Sequence, residues 1–131
     1  MASAEIVRKK RNQNLKYNMD YNFNLEDDFL VVSLSGDLIG EENGPEIISE
    51  LEKFNLNGNL KVVINISDVR YINSSGIGVL ITLLTKVRNK GGELCLINPS
   101  ESVQKLLIIT KLQAIFKVFD TISEAKSDLR A

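Results

Sequence analysis

The middle of the chain, residues 60–89, reads LKVVINISDVRYINSSGIGVLITLLTKVRN. Residues 60–66 are rich in valine and isoleucine, which predicts a strand buried on both faces. Residues 75–89 carry apolar side chains at helical spacing, which predicts a helix with one wide apolar face. That predicted face consists of Ile77, Leu80, Ile81, Leu84 and Val87. A loop over residues 67–73 is predicted to join the strand to the helix.

Further strands and helices are predicted on either side of this unit. The other strands are predicted over residues 17–23, 29–35, 93–97 and 116–119. The other helices are predicted over residues 45–54, 102–112 and 121–131, the first beginning at Pro45 and the last capped by Thr121. Two strands followed by alternating helices and strands predict an α/β fold. Its mixed sheet is expected to have four to five strands, with helices packed mainly on one face.

The chain is predicted to form one domain behind a short arm. It has 131 residues and a formal net charge of −1, a balance that favours neither nucleic acid nor an acidic membrane as partner. Residues 1–16 are polar and weakly patterned, so we expect a flexible arm ahead of a domain over residues 17–131. The basic run at residues 8–11 is expected to be solvated. No apolar stretch could span a bilayer, so we expect no membrane insertion and a cytoplasmic location.

The sequence lacks the residues that several kinds of site require. It contains no histidine, which excludes a Ser-His-Asp hydrolase. An enzyme using Ser74 or Ser75 as nucleophile would need another base nearby. The single cysteine, Cys95, lies in an apolar run and is predicted to be a buried structural thiol. We therefore expect no catalytic role, no metal site and no cofactor.

Two serines, Ser74 and Ser75, stand where the predicted central helix begins. A serine there can cap free backbone N–H groups, and Gly76 and Gly78 leave the first turn bare for a close approach. The same place suits a phosphate, because free N–H groups and the helix dipole favour negative charge. Phosphorylation of Ser74 would add roughly −1.5 to −2 charges without melting the helix. Taken alone, the pattern also fits a plain cap with glycines kept for packing.

A polar stripe continues from this point along the predicted helix. Gly78, Thr82, Thr85 and Asn89 share one helix face, because they follow one another at helical intervals. We expect this stripe to extend a partner-binding patch, although a merely solvated face would show the same pattern. The predicted patch consists of Asn73, Ser74, Ser75, Gly76, Gly78, Thr82, Thr85 and Asn89.

Four stretches resemble one known family in the same order. Residues 71–80, YINSSGIGVL, resemble the Asp-Ser-Ser/Thr-Gly signature of STAS domains of the anti-sigma factor antagonist kind. Residues 35–38 resemble that family's Gly-Glu/Arg-Leu stretch, and residues 62–69 resemble its central strand and following turn. Residues 112–120 resemble its late Leu-x-x-x-Phe-x-x-Phe/Tyr-Asp stretch. The resemblance covers roughly residues 17–131 and implies the STAS fold.

The resemblance also implies a function. In this family, the serine before the Ser/Thr-Gly pair accepts phosphate from an anti-sigma factor that is also a serine kinase, and that position is Ser74. The unphosphorylated protein would bind the anti-sigma factor and release a sigma factor. Phosphate on Ser74 would block that binding. Nothing in the resemblance fixes an oligomeric state.

Two positions differ from the family pattern. The acidic residue usual before the phosphorylated serine is Asn73 here, and the aspartate usual after the Gly-x-Leu stretch is Ile39. Both family carboxylates lie near that serine and shape kinase recognition. The nearby carboxylates that could replace them in part are Asp37, Glu41 and Glu42. These differences keep open an alternative, an unphosphorylated STAS docking subunit of a transporter or larger signalling assembly.

Overall fold

Strands and helices alternate along most of the chain. The computed structural model describes residues 7–11, 19–26, 28–54 and 60–130, the first of these ranges by its backbone alone. The strands are β1 (Val7–Arg11), β2 (Met19–Glu26), β3 (Phe29–Leu38), β4 (Lys61–Ile72), β5 (Glu93–Ile97) and β6 (Lys117–Phe119). The helices are α1 (Gly40–Phe54), α2 (Ser74–Asn89), α3 (Glu101–Ile109) and α4 (Ile122–Arg130).

The strands form one mixed sheet in the order β1-β2-β3-β4-β5-β6. The pairs β1–β2 and β2–β3 are antiparallel, whereas β3–β4, β4–β5 and β5–β6 are parallel. The predicted α/β fold with a mixed sheet is therefore confirmed. Residues 61–66 of the predicted strand over residues 60–66 are part of β4, which lies inside the sheet between β3 and β5.

β1 corrects the prediction for the N-terminal segment. Val7–Arg11 pair with β2 in a register that joins Val7 to Asn24 and Arg11 to Asp20. The basic run therefore belongs to a strand, and the sheet has one strand more than the four to five predicted. Side-chain patterning did not indicate this strand, because pairing at an edge uses backbone N–H and C=O groups. The rest of residues 1–16 lies outside the described residues, and the domain boundary at residue 17 stays a prediction.

The helices cover the two faces of the sheet unequally. The main core packs side chains of α1, α2 and α3 against one face, where Ile64 and Leu84 are buried. A smaller core on the other face joins α4 to Val63 and Cys95. Three of the described helices thus share one face, as predicted. Cys95 is fully buried, which confirms the prediction that its thiol lies in the core.

α2 is the predicted central helix, but its buried face is shifted slightly around the helix from the predicted one. Leu80, Leu84 and Val87 are buried as predicted, whereas Ile77 and Ile81 are only partly buried against the core. Val79 and Leu83 are buried in addition. In the described part of the chain, no helix is both long and apolar enough to cross a membrane.

β4 and α1 both extend beyond their predicted bounds, and both extensions lie beside the central helix. β4 continues through the predicted loop to Ile72, because it stays paired with β3 through two irregularities of register. α1 begins at Gly40, five residues before the predicted start at Pro45. The buried Asn43 stabilises this earlier start, since its side-chain oxygen accepts a hydrogen bond from the Ile39 N–H at 2.9 Å.

The elements after β5 agree with the prediction within a few residues. The helix predicted over residues 102–112 is α3, which Ser100 caps and which ends at Ile109. A separate 3₁₀ turn follows at Leu112–Ala114, because Lys111 adopts a left-handed backbone conformation with a φ of 62°. At the start of α4, the Thr121 hydroxyl accepts a hydrogen bond from the Glu124 N–H at 3.1 Å, as the capping prediction requires.

Candidate functional site

The N-termini of α1 and α2 lie side by side at one edge of the sheet. β3 and β4 are parallel and pair Leu38 with Ile72, so the two strands end together. Each strand is followed after one residue by a helix, α1 at Gly40 and α2 at Ser74. The positive ends of two helix dipoles therefore adjoin, which favours negative charge in this region.

Glycines allow this close approach of the two helices. A Cβ atom on Gly40 would lie 2.3 Å from the backbone of Ser75, and one on Gly76 would lie 2.4 Å from the carbonyl oxygen of Leu38. A Cβ atom on Gly44, one turn further along α1, would lie 2.6 Å from the side chain of Val79. Gly78 is different, because a Cβ atom there would meet nothing within 4 Å. Packing therefore requires glycine at the first three positions but not at Gly78.

Asn73 caps α2 and ties its start to that of α1. Its Oδ1 atom accepts hydrogen bonds from the backbone N–H of Gly76 at 2.7 Å and from that of Gly40 at 3.3 Å. The prediction that Ser74 or Ser75 caps this helix is therefore wrong. β4 extends to Ile72, which places Asn73 at the N-cap, and asparagine is as good a capping residue as serine.

Glu41, in the first turn of α1, reaches across to the start of α2. The Asn73 side-chain amide donates a hydrogen bond to its Oε1 at 2.7 Å, and the Ser75 hydroxyl donates one to its Oε2 at 2.8 Å. These two bonds, that from Ser75 first, lower the pKa of the Glu41 carboxyl below its ordinary value of 4.5. The carboxylate is exposed and, at neutral pH, ionised.

Of the three carboxylates considered from the sequence, Glu41 is the one for which the structure gives a contact with the serines or Asn73. Asp37 instead lies 3.4 Å from the guanidinium of Arg70, on the neighbouring strand. Glu42 is exposed, and no hydrogen bond joins it to these residues. Ile39 is buried in the core with 5% exposure, which explains why an apolar residue is found there.

The two serines differ in exposure and in hydrogen bonding. Ser74 is the first residue of α2 and is exposed, and its hydroxyl forms no hydrogen bond with any residue that the structure describes. Ser75 is partly buried, and its hydroxyl lies 2.8 Å from Glu41 and 3.0 Å from Oδ1 of Asn73. The single hydroxyl proton of Ser75 is thus already engaged, whereas that of Ser74 is available.

The polar stripe of α2 is solvent-facing but presents few free polar groups. Gly78, Thr85 and Asn89 are exposed, and Thr82 is partly exposed. The hydroxyls of Thr82 and Thr85 donate to the carbonyl oxygens of Gly78 and Ile81, each at 2.9 Å. The two threonines therefore present mainly their methyl groups at the surface that a partner would contact. Binding by this stripe stays a prediction.

A shallow groove between α1 and α2 adjoins the serines. Its lining includes Gly44, Pro45 and Ile48 from α1, and Gly78 and Thr82 from α2. Hydrophobic patterning in the sequence did not indicate the α1 side of this groove. The four-residue interval between Gly40 and Gly44 is the signal that could have indicated it, since glycines at this spacing allow close helix packing.

The eight residues predicted as a binding patch fall into two groups. Asn73, Ser74, Ser75 and Gly76 lie together at the start of α2, and Gly78 and Thr82 continue along the groove. Thr85 and Asn89 lie further along the exposed side of the same helix. Among the described residues, no group of three or more His, Cys, Asp and Glu side chains could hold a metal ion.

Comparisons with known proteins agree with this architecture. A model of the STAS domain matches residues 21–125. A candidate anti-sigma factor antagonist from Thermotoga maritima is 37% identical over 79 residues, covering 60% of this chain and 70% of its own. The anti-sigma F factor antagonist of Paenibacillus polymyxa is 25% identical over 100 residues, covering 76% of this chain and 86% of its own.

Solved structures show the same fold. The crystal structure of a candidate anti-sigma factor antagonist from T. maritima has a TM-score of 0.69 and 31% identity, covering 85% of this chain and 95% of that one. The Bacillus protein SpoIIAA in its phosphorylated form has a TM-score of 0.59 and 18% identity, covering 83% of this chain and 98% of that one. The likeness to SpoIIAA concerns the fold alone.

Proposed function

Because the chain belongs to the STAS domain family, we propose that it is an anti-sigma factor antagonist controlled by phosphorylation of Ser74. In its unphosphorylated form it binds an anti-sigma factor that is also a serine kinase, and a sigma factor is released. The descriptions of the T. maritima and P. polymyxa relatives support this class of partner. In this scheme the protein is the substrate of the kinase and performs no catalysis.

One observation carries the assignment of Ser74: its hydroxyl is exposed and bonds to none of the described residues, while Asn73 caps the helix. A kinase can therefore modify Ser74 without removing a hydrogen bond that the fold uses. Ser75 lacks this freedom, because its hydroxyl binds Glu41. A Bacillus protein of the same fold has been solved in a phosphorylated form, so a protein with this fold can carry a phosphate.

Phosphate on Ser74 would change the surface and spare the fold. It would bring roughly −1.5 to −2 charges to a place where two helix N-termini adjoin, and such charge is favourable there. The same charge would lie at the start of α2, near the open surface at Gly78 and close to the ionised Glu41. A partner that packs closely on Ser74 and Gly78 would lose both its contact and its electrostatic match.

The surface proposed for the partner combines the α2 stripe with the groove beside it. Gly78 supports this assignment, because an exposed glycine inside a helix costs stability and packing within the chain does not require it. The threonine hydroxyls are bonded within their own helix, so a partner can cover them without leaving a polar group unsatisfied.

Asn73 favours one alternative, a STAS docking subunit of a transporter or larger signalling assembly that is never phosphorylated. The same helix and groove would then form a permanent contact. A gene for a GHKL-type kinase beside this one would favour the switch, and neighbouring transporter genes would favour the alternative.

The direct test is incubation with the cognate anti-sigma kinase and ATP, followed by intact-mass measurement. We expect the wild type to gain the mass of one phosphate and Ser74→Ala to gain none. Ser75→Ala is the matched control and should still be modified at Ser74. A wild type that gains no phosphate while it binds the anti-sigma factor would support permanent docking instead.

A further inference from the structure

We infer that Glu41 supplies a fixed negative charge beside Ser74 that a basic group of the partner recognises. The inference rests on the proposed function, because it concerns how the anti-sigma kinase recognises this site. It assigns to α1 a specificity-determining residue that lies 32 positions before Asn73 in the sequence.

The first support is the way in which Glu41 is held. An exposed glutamate usually samples many rotamers, and ordering it costs side-chain entropy. Here both carboxylate oxygens accept hydrogen bonds, from Asn73 at 2.7 Å and from Ser75 at 2.8 Å. The charge is therefore held in place beside Ser74 before any partner arrives, which lowers the entropy lost on binding.

The second support is that the charge has no counter-ion within the described part of the chain. Asp37 is close to Arg70, and Glu52 is paired with Lys86, but no lysine or arginine of the described residues forms an ion pair with Glu41. Glu41 also lines the groove between α1 and α2. An ordered carboxylate that faces solvent there, with no ion pair to a described residue, suits an arginine or lysine of a partner.

The third support is that Asn73 and Glu41 are complementary in hydrogen bonding and in charge. The neutral amide of Asn73 donates to the carboxylate, so the pair carries one negative charge and a satisfied hydrogen bond. An aspartate at position 73 would put a second carboxylate at hydrogen-bond distance from the first. Two such groups cannot both ionise without a large cost. A neutral residue such as Asn73 therefore suits this position, because Glu41 already supplies the negative charge.

This match predicts an unusual set of variant effects. Glu41→Gln keeps the shape and the hydrogen bonds, since a glutamine can accept from Asn73 and donate to the Ser75 oxygen, and it removes only the charge. Asn73→Asp should impair the site, although it places an acid directly before Ser74. The double variant Glu41→Gln/Asn73→Asp reverses donor and acceptor and carries one carboxylate again, so it should recover function.

The experiment compares wild type, the three variants and Glu42→Gln, a control that removes a neighbouring exposed carboxylate with no contact to the site. The full-length proteins are assayed against the cognate anti-sigma kinase for dissociation constant and for the initial rate of phosphate incorporation. Urea unfolding of each protein checks that it is folded. We expect Glu41→Gln to weaken binding by about tenfold, as for the loss of one charge-assisted contact, and less at high salt.

We also expect Asn73→Asp to bind more weakly than wild type, the double variant to bind within about threefold of wild type, and Glu42→Gln to match it. If Glu41→Gln binds and is phosphorylated like wild type, the inference is wrong. A folded double variant no better than Asn73→Asp would also overturn it. A wild type that neither binds the kinase nor accepts phosphate would instead refute the proposed function, so the two failures are distinguishable.

Discussion

The start of α2 separates the roles of three adjacent polar residues. Asn73 provides the cap, Ser75 orients Glu41, and the exposed hydroxyl of Ser74 bonds to no residue in the described ranges. A group that is modified reversibly should not be one on which the fold depends. Ser74 meets this condition and Ser75 does not.

Ser74→Asp should mimic the phosphate in part, because it brings one charge where phosphate brings nearly two. We expect it to fold normally, since a negative charge at a helix N-terminus stabilises by roughly 0.3–1 kcal/mol. Part of that gain will be offset by repulsion from Glu41. Binding to the anti-sigma factor should be weaker than for wild type. Urea unfolding and a titration of the partner measure both effects, and unchanged binding would contradict the role of charge at this position.

Glu41 should make stability depend on acidity. Its pKa is lowered in the folded protein, by the bond from Ser75 first and that from Asn73 second. The stabilisation is therefore present above the ordinary value of 4.5 and is lost as the pH falls through the lowered folded pKa. Wild type should exceed Glu41→Gln in unfolding free energy at about pH 7, and the difference should shrink as the pH falls through the lowered folded pKa of Glu41. A difference that is independent of pH would show that the hydrogen bonds do not favour the ionised form.

Among the elements, α2 contains two glycines with opposite expected roles. Gly76→Ala should destabilise the protein, because its Cβ atom would lie 2.4 Å from the Leu38 carbonyl oxygen. Gly78→Ala should stabilise it by up to about 1 kcal/mol, the difference in helix propensity, yet weaken partner binding by closing the bare surface. Chemical unfolding and partner titration test both variants. If Gly78→Ala binds as well as wild type, the partner does not approach this turn.

The apolar side of α2 packs against the sheet in the main core. Leu84 is 3% exposed within the main core. Leu84→Ala should therefore cost roughly 2–5 kcal/mol of unfolding free energy. Ile109→Ala is a useful control, because Ile109 is 77% exposed and its loss should change stability by less than about 0.5 kcal/mol. Similar losses for both variants would contradict the assigned packing of α2.

Hydrophobic periodicity was sufficient to identify the type and order of most elements, since β4 and α2 carry strong local signals. It could not locate the end of β4 or the start of α1. Those boundaries depend on the pairing of β3 with β4 and on the Asn43 side chain, which are contacts made after the chain folds. The bridge from Glu41 to Asn73 and Ser75 is hidden from local patterns for the same reason, because it joins residues 32 and 34 positions apart.

At the scale of the whole molecule, the sheet separates two cores of unequal size. The smaller core contains Cys95, and burial is the main cause that raises its pKa to about 12. The thiol should therefore react with an alkylating reagent only when the protein unfolds. Labelling should be negligible in buffer and rise along the same urea transition as the loss of circular dichroism. Rapid labelling of the native protein would show that the second core opens locally.

β1 shows the limit of sequence patterning at this scale. Its residues are mostly basic and carry no strand signal, and their position follows from backbone pairing with β2. The family resemblance, by contrast, indicated the overall fold well, because it depended on several motifs in a fixed order along the chain. It indicated the position of Ser74 but not the neighbours that distinguish Ser74 from Ser75.

In the proposed switch, phosphate on Ser74 turns partner binding off. Its most direct test is the dissociation constant of the anti-sigma factor complex for wild type and Ser74→Ala, each before and after treatment with the kinase and ATP at one salt concentration. We predict that treatment weakens binding of wild type by at least about tenfold and leaves Ser74→Ala unchanged. Fully phosphorylated wild type that binds as tightly as before, or a Ser74→Ala protein that loses affinity equally, would contradict the claim.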